Sequence, residues 1–308
     1  EAEFGKSKAL VRGVCAEFKS RGYNIGAFDA ATASDVLSGS GLSSSAAFEV
    51  LLGTILNHLF NDGKVSDVEI AQIAQAAENK FFGKPCGLLD QMTSSVGSFV
   101  EIDFADPANP VIEKLDFDFA SCGYALCIVD TGGSHSDLTD EYAAVRKEME
   151  SVAEYLGKSV LREVDEDEFM KNIADIRSSC GDRAVLRAMH FYGDNARVEK
   201  QAAALKAGDF ETFKKYIIES GRSSYMYNQN VYSCKKASEQ PVSLALSLSE
   251  KLLDGCGAWR VHGGGFAGTI QAFVPLNKLD EYKDLMEKVF GSGSCYILSV
   301  RPVGGVEL

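Results

Sequence analysis

Residues 39–47 read Gly-Ser-Gly-Leu-Ser-Ser-Ser-Ala-Ala. Glycines let a backbone bend sharply and approach a ligand closely. A helix starting at the end of this run would offer unpaired N–H groups and the positive end of its dipole. Three serine hydroxyls add donors and one potential metal ligand. The combination is a cradle for phosphate, but not of the Walker type, because no Gly-Lys-Ser/Thr follows the glycines. A serine-capped helix after a flexible loop would read the same way.

A second group lies further along. Glu78 falls at the flank of an apolar helical stripe, and it is followed by Cys86-Gly87-Leu88-Leu89-Asp90-Gln91. Asp90 is placed in the first turn of a helix, where the dipole favours its ionised form. Two carboxylates and a serine-rich phosphate loop can divide the work of phosphoryl transfer, one holding Mg²⁺ and the other handling the attacking hydroxyl. Taken singly, a solvated Glu and an N-terminal helix Asp account for the same residues. A third group is Gly257 to Gly268, which contains Gly263-Gly264-Gly265. It reads as a second loop closing on phosphate, or as a tight hairpin with close backbone packing. His262 within it reads as a packed loop residue.

The elements that must position these groups follow from periodicity. Residues 8–20 pattern as a helix with Leu10, Val11, Val14, Cys15 and Phe18 on one face. Residues 24–36 form a short β-like run before the serine loop. Residues 46–60 are apolar nearly all round, as in a helix at the centre of a core. Residues 67–82 predict a helix striped by Ile70, Ile73, Ala74, Ala77 and Phe81, and a short helix is expected from Leu88. Residues 97–104 and 110–117 pattern as paired strands, and 123–131 as a buried strand. The second half is mainly helical, over 137–157, 162–208, 209–222 and 239–254. It closes with a strand (269–275), a helix (277–290) and a last strand (295–302). The fold class expected is α+β with a mixed or antiparallel sheet. A composition shift near residue 120 divides the chain into expected domains 1–120 and 121–308.

Composition narrows the partners. The chain has 308 residues, with 44 acidic against 31 basic side chains and a net charge of −13. That balance, without a Lys/Arg cluster, argues against general nucleic-acid or anionic-membrane binding. No apolar run is long enough to cross a bilayer. The eight cysteines form no Cys-x-x-Cys pair and read as reduced residues of a cytoplasmic protein. The four histidines are not at zinc-ligand spacing. The first residues hold no signal peptide, and the chain opens almost directly into helix, which raises the expectation of residues lost upstream.

In this order the three groups resemble the GHMP sugar-kinase superfamily, and within it the galactokinases. Residues 37–46 are similar to the family's Pro-x-Gly-[Ser/Ala]-Gly-Leu-Ser-Ser-Ser-Ala motif, with Leu37 in place of proline. The stretch to Asp90-Gln91 is similar to Cys-Gly-[Ile/Leu]-[Met/Leu]-Asp-Gln. Residues 257–268 resemble the third, glycine-rich motif, with Ala267 replacing one glycine. Asp130-Thr131 and Asp140-Glu141-Tyr142 to Arg146 are similar to the family's strand and the helix after it, with Glu-Tyr-x-x-x-Arg here against the family's Glu-Tyr-x-x-Arg. The resemblance implies a two-domain kinase of ATP and Mg²⁺ with its active site between domains, a sugar as phosphoryl acceptor, and a monomer. It implies that Asp90 is the catalytic carboxylate facing the sugar C1 hydroxyl, and that Gly87 and Tyr142 contact the sugar. Gly39, Ser40, Gly41, Leu42, Ser43, Ser44 and Ser45, with Gly264 and Gly265, would surround the nucleotide. Ser45 and Glu78 would hold Mg²⁺, with Ser44 as the alternate. The family's first motif, Gly-Arg-x-Asn-Leu-Ile-Gly-Glu-His-x-Asp-Tyr, is not found in these residues. The chain therefore resembles a galactokinase without its N-terminal part, expected to be inactive as it stands. A kinase for N-acetylgalactosamine or arabinose, and a non-catalytic sugar sensor, are the other readings. The complete Ser-Ser-Ser-Ala run favours an enzyme.

Overall fold

The computed structural model describes residues 4–34, 43–83, 86–106, 109–132, 138–266 and 268–308. The chain divides into two compact units. The first comprises residues 1–102, 111–116 and 300–308, and the second residues 103–110 and 117–299.

The first unit contains helices α1 (Ser7–Ser20), α2 (Ser44–Asn61), α3 (Asp67–Ala77) and α4 (Leu89–Val96). Strands β1 (Phe99–Asp103) and β2 (Val111–Leu115) pair in a two-stranded sheet. Val14 and Phe18 of α1, Val50, Leu52 and Leu56 of α2, and Ile70, Ile73 and Ala74 of α3 form its core. The faces read from periodicity hold with two exceptions. Val11 is 36% exposed. On α2, Leu51 and Leu59 reach 39% and 58% exposure, so this apolar helix is buried on only part of its circumference. The Ser66 hydroxyl caps α3 by accepting from the Glu69 N–H.

The β-like run at 24–36 is not a strand over its described part, residues 24–34. A strand exists only where a neighbour supplies a ladder, and here side-chain amides take over that role. Asn61 accepts from the Asn24 N–H at 2.8 Å and donates to its carbonyl at 2.9 Å, tying the segment to the end of α2. The tail after residue 299 also packs on this unit. A Cβ on Gly304 would lie 1.7 Å from the Ser95 carbonyl oxygen, and one on Gly305 2.1 Å from Thr54 Oγ1. Only glycine permits such approach.

The second unit is built on an antiparallel sheet in the order β4-β5-β3-β6. The strands are β3 (Tyr124–Asp130), β4 (Ala258–Val261), β5 (Thr269–Pro275) and β6 (Cys295–Leu298). Cys127 lies opposite Ala272 of β5 and Ile297 of β6, and Arg260 lies opposite Gln271. The first part of the glycine-rich group is thus a strand, β4, and only its remainder is loop. The last strand is shorter than the 295–302 pattern, because residues from Val300 belong to the first unit.

Between β3 and β4 come α5 (Thr139–Tyr155), α6 (Glu166–Lys171), α7 (Ile173–Cys180), α8 (Asp182–Lys206), α9 (Phe210–Ser223) and α10 (Pro241–Leu253). Helix α11 (Leu279–Phe290) joins β5 to β6. The alternate residues Cys127, Val129, Ile270, Ala272 and Val274 pack with Val242, Ala245, Tyr282 and Met286 of α10 and α11. A second core joins Val152 and Ala153 of α5, Phe169 of α6, Ile176 of α7, and Val185 and Ala188 of α8.

Arg187 of α8 is buried with its guanidinium 2.9 Å from Glu148 of α5 and 3.0 Å from the Asn228 carbonyl oxygen. Burial holds its pKa below the ordinary arginine value, opposed chiefly by the Glu148 charge. A buried cation deprived of its carboxylate is strongly destabilising. Glu148→Ala should therefore cost about 3–5 kcal/mol. Arg183→Ala removes the more exposed partner of the same carboxylate and should cost no more than about 1 kcal/mol. Guanidinium unfolding followed by circular dichroism compares the two, and equal losses would refute the assignment.

Candidate active site

Three segments of the first unit meet around two carboxylates. Helix α2 begins at Ser44, and its N-cap residue Ser43 has φ 55° and ψ 47°, a left-handed conformation that is uncommon outside glycine. With that backbone in place, the Ser43 hydroxyl donates to Asp90 Oδ2 at 2.6 Å. Two residues on, the Ser45 hydroxyl donates to Glu78 Oε1 at 3.0 Å. Alternate serines at one helix start thus each hold a different carboxylate.

The carboxylates come from opposite surroundings. Asp90 is exposed in the first turn of α4. Glu78 is 2% exposed and opens a π-helical turn, Glu78–Phe82, that continues α3. Such turns are rare and concentrate at functional sites. A buried carboxylate needs donors. Besides Ser45, Glu78 has the Gln91 amide nitrogen, 2.8 Å from Oε2.

Between them, Cys86 is held by amides. Asn79 Oδ1 accepts from the Cys86 N–H at 2.6 Å, while Asn79 and Gln75 both donate to the Cys86 carbonyl. This fixes the approach to Gly87, which is exposed and has open space where a Cβ would stand. The Cys86 thiol is pushed up to about 12, first by burial and then by the Glu78 charge, so it stays protonated at neutral pH. Ser44 is the first residue of α2. Gly39, Ser40, Gly41 and Leu42 lie outside the described residues.

The Ser45–Glu78 pair offers a hydroxyl and a carboxylate oxygen side by side, the hard donors that Mg²⁺ selects. Among the described residues no three His, Cys, Asp or Glu cluster as a metal cage. A cation shared between one carboxylate and substrate phosphates needs no such cage. The residues therefore fit Mg²⁺.

In the second unit Tyr142 and the glycine loop form one assembly. The Tyr142 hydroxyl donates to the Gly265 carbonyl oxygen at 2.7 Å, and its ring stands edge-on to Phe266 with centroids 5.3 Å apart. Burial raises the Tyr142 pKa. A Cβ on Gly264 would meet the Tyr142 ring at 2.6 Å. One on Gly265, at φ 82°, would lie 1.9 Å from the Asn230 carbonyl oxygen. The same oxygen accepts from the Phe266 N–H. His262 sits beside the loop with Nδ1 3.2 Å from Gln271.

Two sets of amides were missed by sequence reading: Gln75, Asn79 and Gln91 in the first unit, and Asn230 in the second. Neutral amides carry no charge or nucleophile to draw attention. For the first set the signal was position, within one helical turn of Glu78 or beside Asp90; Asn230 carried none.

Residues 9–98 match the family model for the GHMP kinases N terminal domain. The chain is 32% identical to the galactokinase of Actinobacillus pleuropneumoniae over 88% of its own length and 66% of that protein. It is 32% identical to the galactokinase of Glaesserella parasuis serovar 5 over 91% of its own length and 70% of that protein. Its fold is similar to that of Lactococcus lactis galactokinase complexed with galactose, with a TM-score of 0.74 at 23% identity, covering 98% of this chain and 76% of that one. The chain thus spans about two thirds of the length of the first curated relative it matches. With 32% identity over 91% of its own length and 70% of such a relative, the chain belongs to the galactokinase family of the GHMP kinases.

Proposed function

We propose that the natural protein transfers the γ-phosphate of ATP to the C1 hydroxyl of galactose. The observation that carries this reading is the pair of serine–carboxylate contacts at the start of α2. It brings a group able to manage a hydroxyl proton and a group able to hold a cation to one helix N-terminus, where phosphate is favoured. The galactokinase relatives support the sugar and the nucleotide. The eight unpaired cysteines support a cytoplasmic setting. Among the described residues, no helix is long and apolar enough to cross a membrane.

The residues divide the work as follows. Asp90 accepts or electrostatically holds the C1 hydroxyl proton, and Ser43 keeps one of its oxygens in place. Glu78 and Ser45 would hold Mg²⁺, which would supply neutralisation of phosphate charge. Residues 39–45 are proposed to meet the phosphates and Gly87 the sugar, while Gly264, Gly265 and Tyr142 keep the nucleotide and sugar roles that the family resemblance implies. Positioning and charge stabilisation are most of what catalyses phosphoryl transfer. ADP release with galactose, N-acetylgalactosamine, arabinose or no sugar tests the reading. Turnover on galactose alone is expected, and preference for another sugar would replace it.

Asp90→Asn keeps shape and removes charge. In the full-length natural protein it should lower kcat about 10²–10⁴-fold while nucleotide affinity stays within a few fold. Activity close to the parent would remove Asp90 from the mechanism. Glu78→Gln should raise the Mg²⁺ midpoint more than the galactose KM, because a hard cation prefers carboxylate to amide oxygen. An unchanged midpoint at saturating galactose would make Glu78 structural only. We also propose that the 308 residues alone lack activity, since the first family motif, which in relatives brings an arginine and sugar-gripping groups, is not among them. Galactose-dependent ADP formation by this chain at near the full-length rate would refute that.

A further inference from the structure

Gln91 has no part in the roles above, yet it joins both halves of the site. It follows Asp90 in the first turn of α4 and is 1% exposed. Its amide nitrogen lies 2.8 Å from Glu78 Oε2 and 3.5 Å from Cys86 Sγ. The other Glu78 oxygen, Oε1, takes the Ser45 hydroxyl at 3.0 Å. The two Glu78 oxygens are therefore assigned to different donors on different helices.

The orientation of this amide follows from chemistry. The amide turns its N–H₂ toward Glu78 Oε2, and a flip would set oxygen against oxygen. Held this way, the amide oxygen Oε1 of Gln91 is buried with no hydrogen-bond partner among the described residues. An unpaired buried acceptor is costly, and well-packed apolar residues of similar size would avoid that cost. The bond from the amide nitrogen to Glu78 is what the buried amide supplies in return.

We infer that Gln91 is a positioning residue: by holding Glu78 Oε2, it presents Oε1, together with Ser45 Oγ, to a divalent cation. The inference rests on the reading of Glu78 and Ser45 as the cation-holding pair. Outer partners of ligating carboxylates fix which oxygen binds and in what direction, and losing one typically costs about 10–100-fold in metal affinity. Because Gln91 and Asp90 share one helical turn, the same backbone places the catalytic carboxylate and the partner of the cation-holding carboxylate.

The test uses the full-length protein with Mn²⁺ as the cation probe and ATP without sugar, free Mn²⁺ being read by electron paramagnetic resonance. Gln91→Met keeps length and burial but removes the donor. The Mn²⁺ midpoint should rise about 10–100-fold, while ATP affinity without metal stays within twofold of the parent. Glu78→Gln is measured alongside. If Glu78→Gln raises the midpoint and a folded Gln91→Met leaves it within twofold, the positioning role is overturned, and a lowered Tm alone would then describe a packing residue. If Glu78→Gln itself leaves the midpoint unmoved, the cation-holding reading fails first and the inference falls with it. If Gln91→Met does not fold, Gln91→Asn draws the same amide back by one methylene. A several-fold rise is then expected, and an unchanged midpoint overturns the proposal.

Discussion

A carboxylate removed from water must be surrounded by hydrogen-bond donors. Glu78 imposes this condition on the first unit. Its partners include Ser45 of α2, Gln91 of α4 and the Cys86 thiol, while the residue itself ends α3. Three helices must therefore converge at one point, and the π-helical turn at Glu78 sets the side chain where they meet. Ser43 and Asp90 follow from that convergence, one residue before α2 and one residue before Gln91. The left-handed backbone at Ser43 is a local strain that the surrounding contacts sustain.

The second unit meets a different constraint, that of close backbone approach. Gly264 and Gly265 admit Tyr142 and Asn230 to distances that a Cβ would forbid. The loop between β4 and β5 is consequently shaped by a helix side chain and by the chain after α9, rather than by its own turn residues. Phe266, at φ 58°, takes up part of the resulting strain. A glycine-rich stretch of this kind need not be flexible. Here the absent side chains are what allow the loop to be held tightly.

Much of this was legible in sequence where one physical signal dominated. Helix periodicity marked α1, α3, α5, α10 and α11, and unbroken apolar runs marked β3 and β5. The serine run, Glu78 and Asp90 stood out because their residue types carry chemistry. What was not legible depended on partners distant in sequence. Residues 24–34 have strand-like composition, but strand identity belongs to a ladder rather than to a segment. Ala258–Val261 is four residues long and hidden among glycines, so its pairing with β5 gave no periodic trace. The amides around Cys86 and Glu78 act through geometry alone, and type and spacing do not distinguish them from surface residues.

The tail gives the two units an order in time. Residues 300–308 lie against α2 and α4, with Gly304 and Gly305 closing on Ser95 and Thr54. Every residue of the second unit is synthesised before that tail. On the ribosome residues 1–102 thus emerge before the second unit and residues 300–308 after it, while the second unit can close its four-stranded sheet as soon as β6 is released. Chains generally fold domain by domain from the N-terminus, and contacts between distant segments form slowly. During that interval the surface of α2 and α4 that receives the tail is uncovered, so the helices bearing Ser45 and Asp90 are assembled before the chain that seals them has been made.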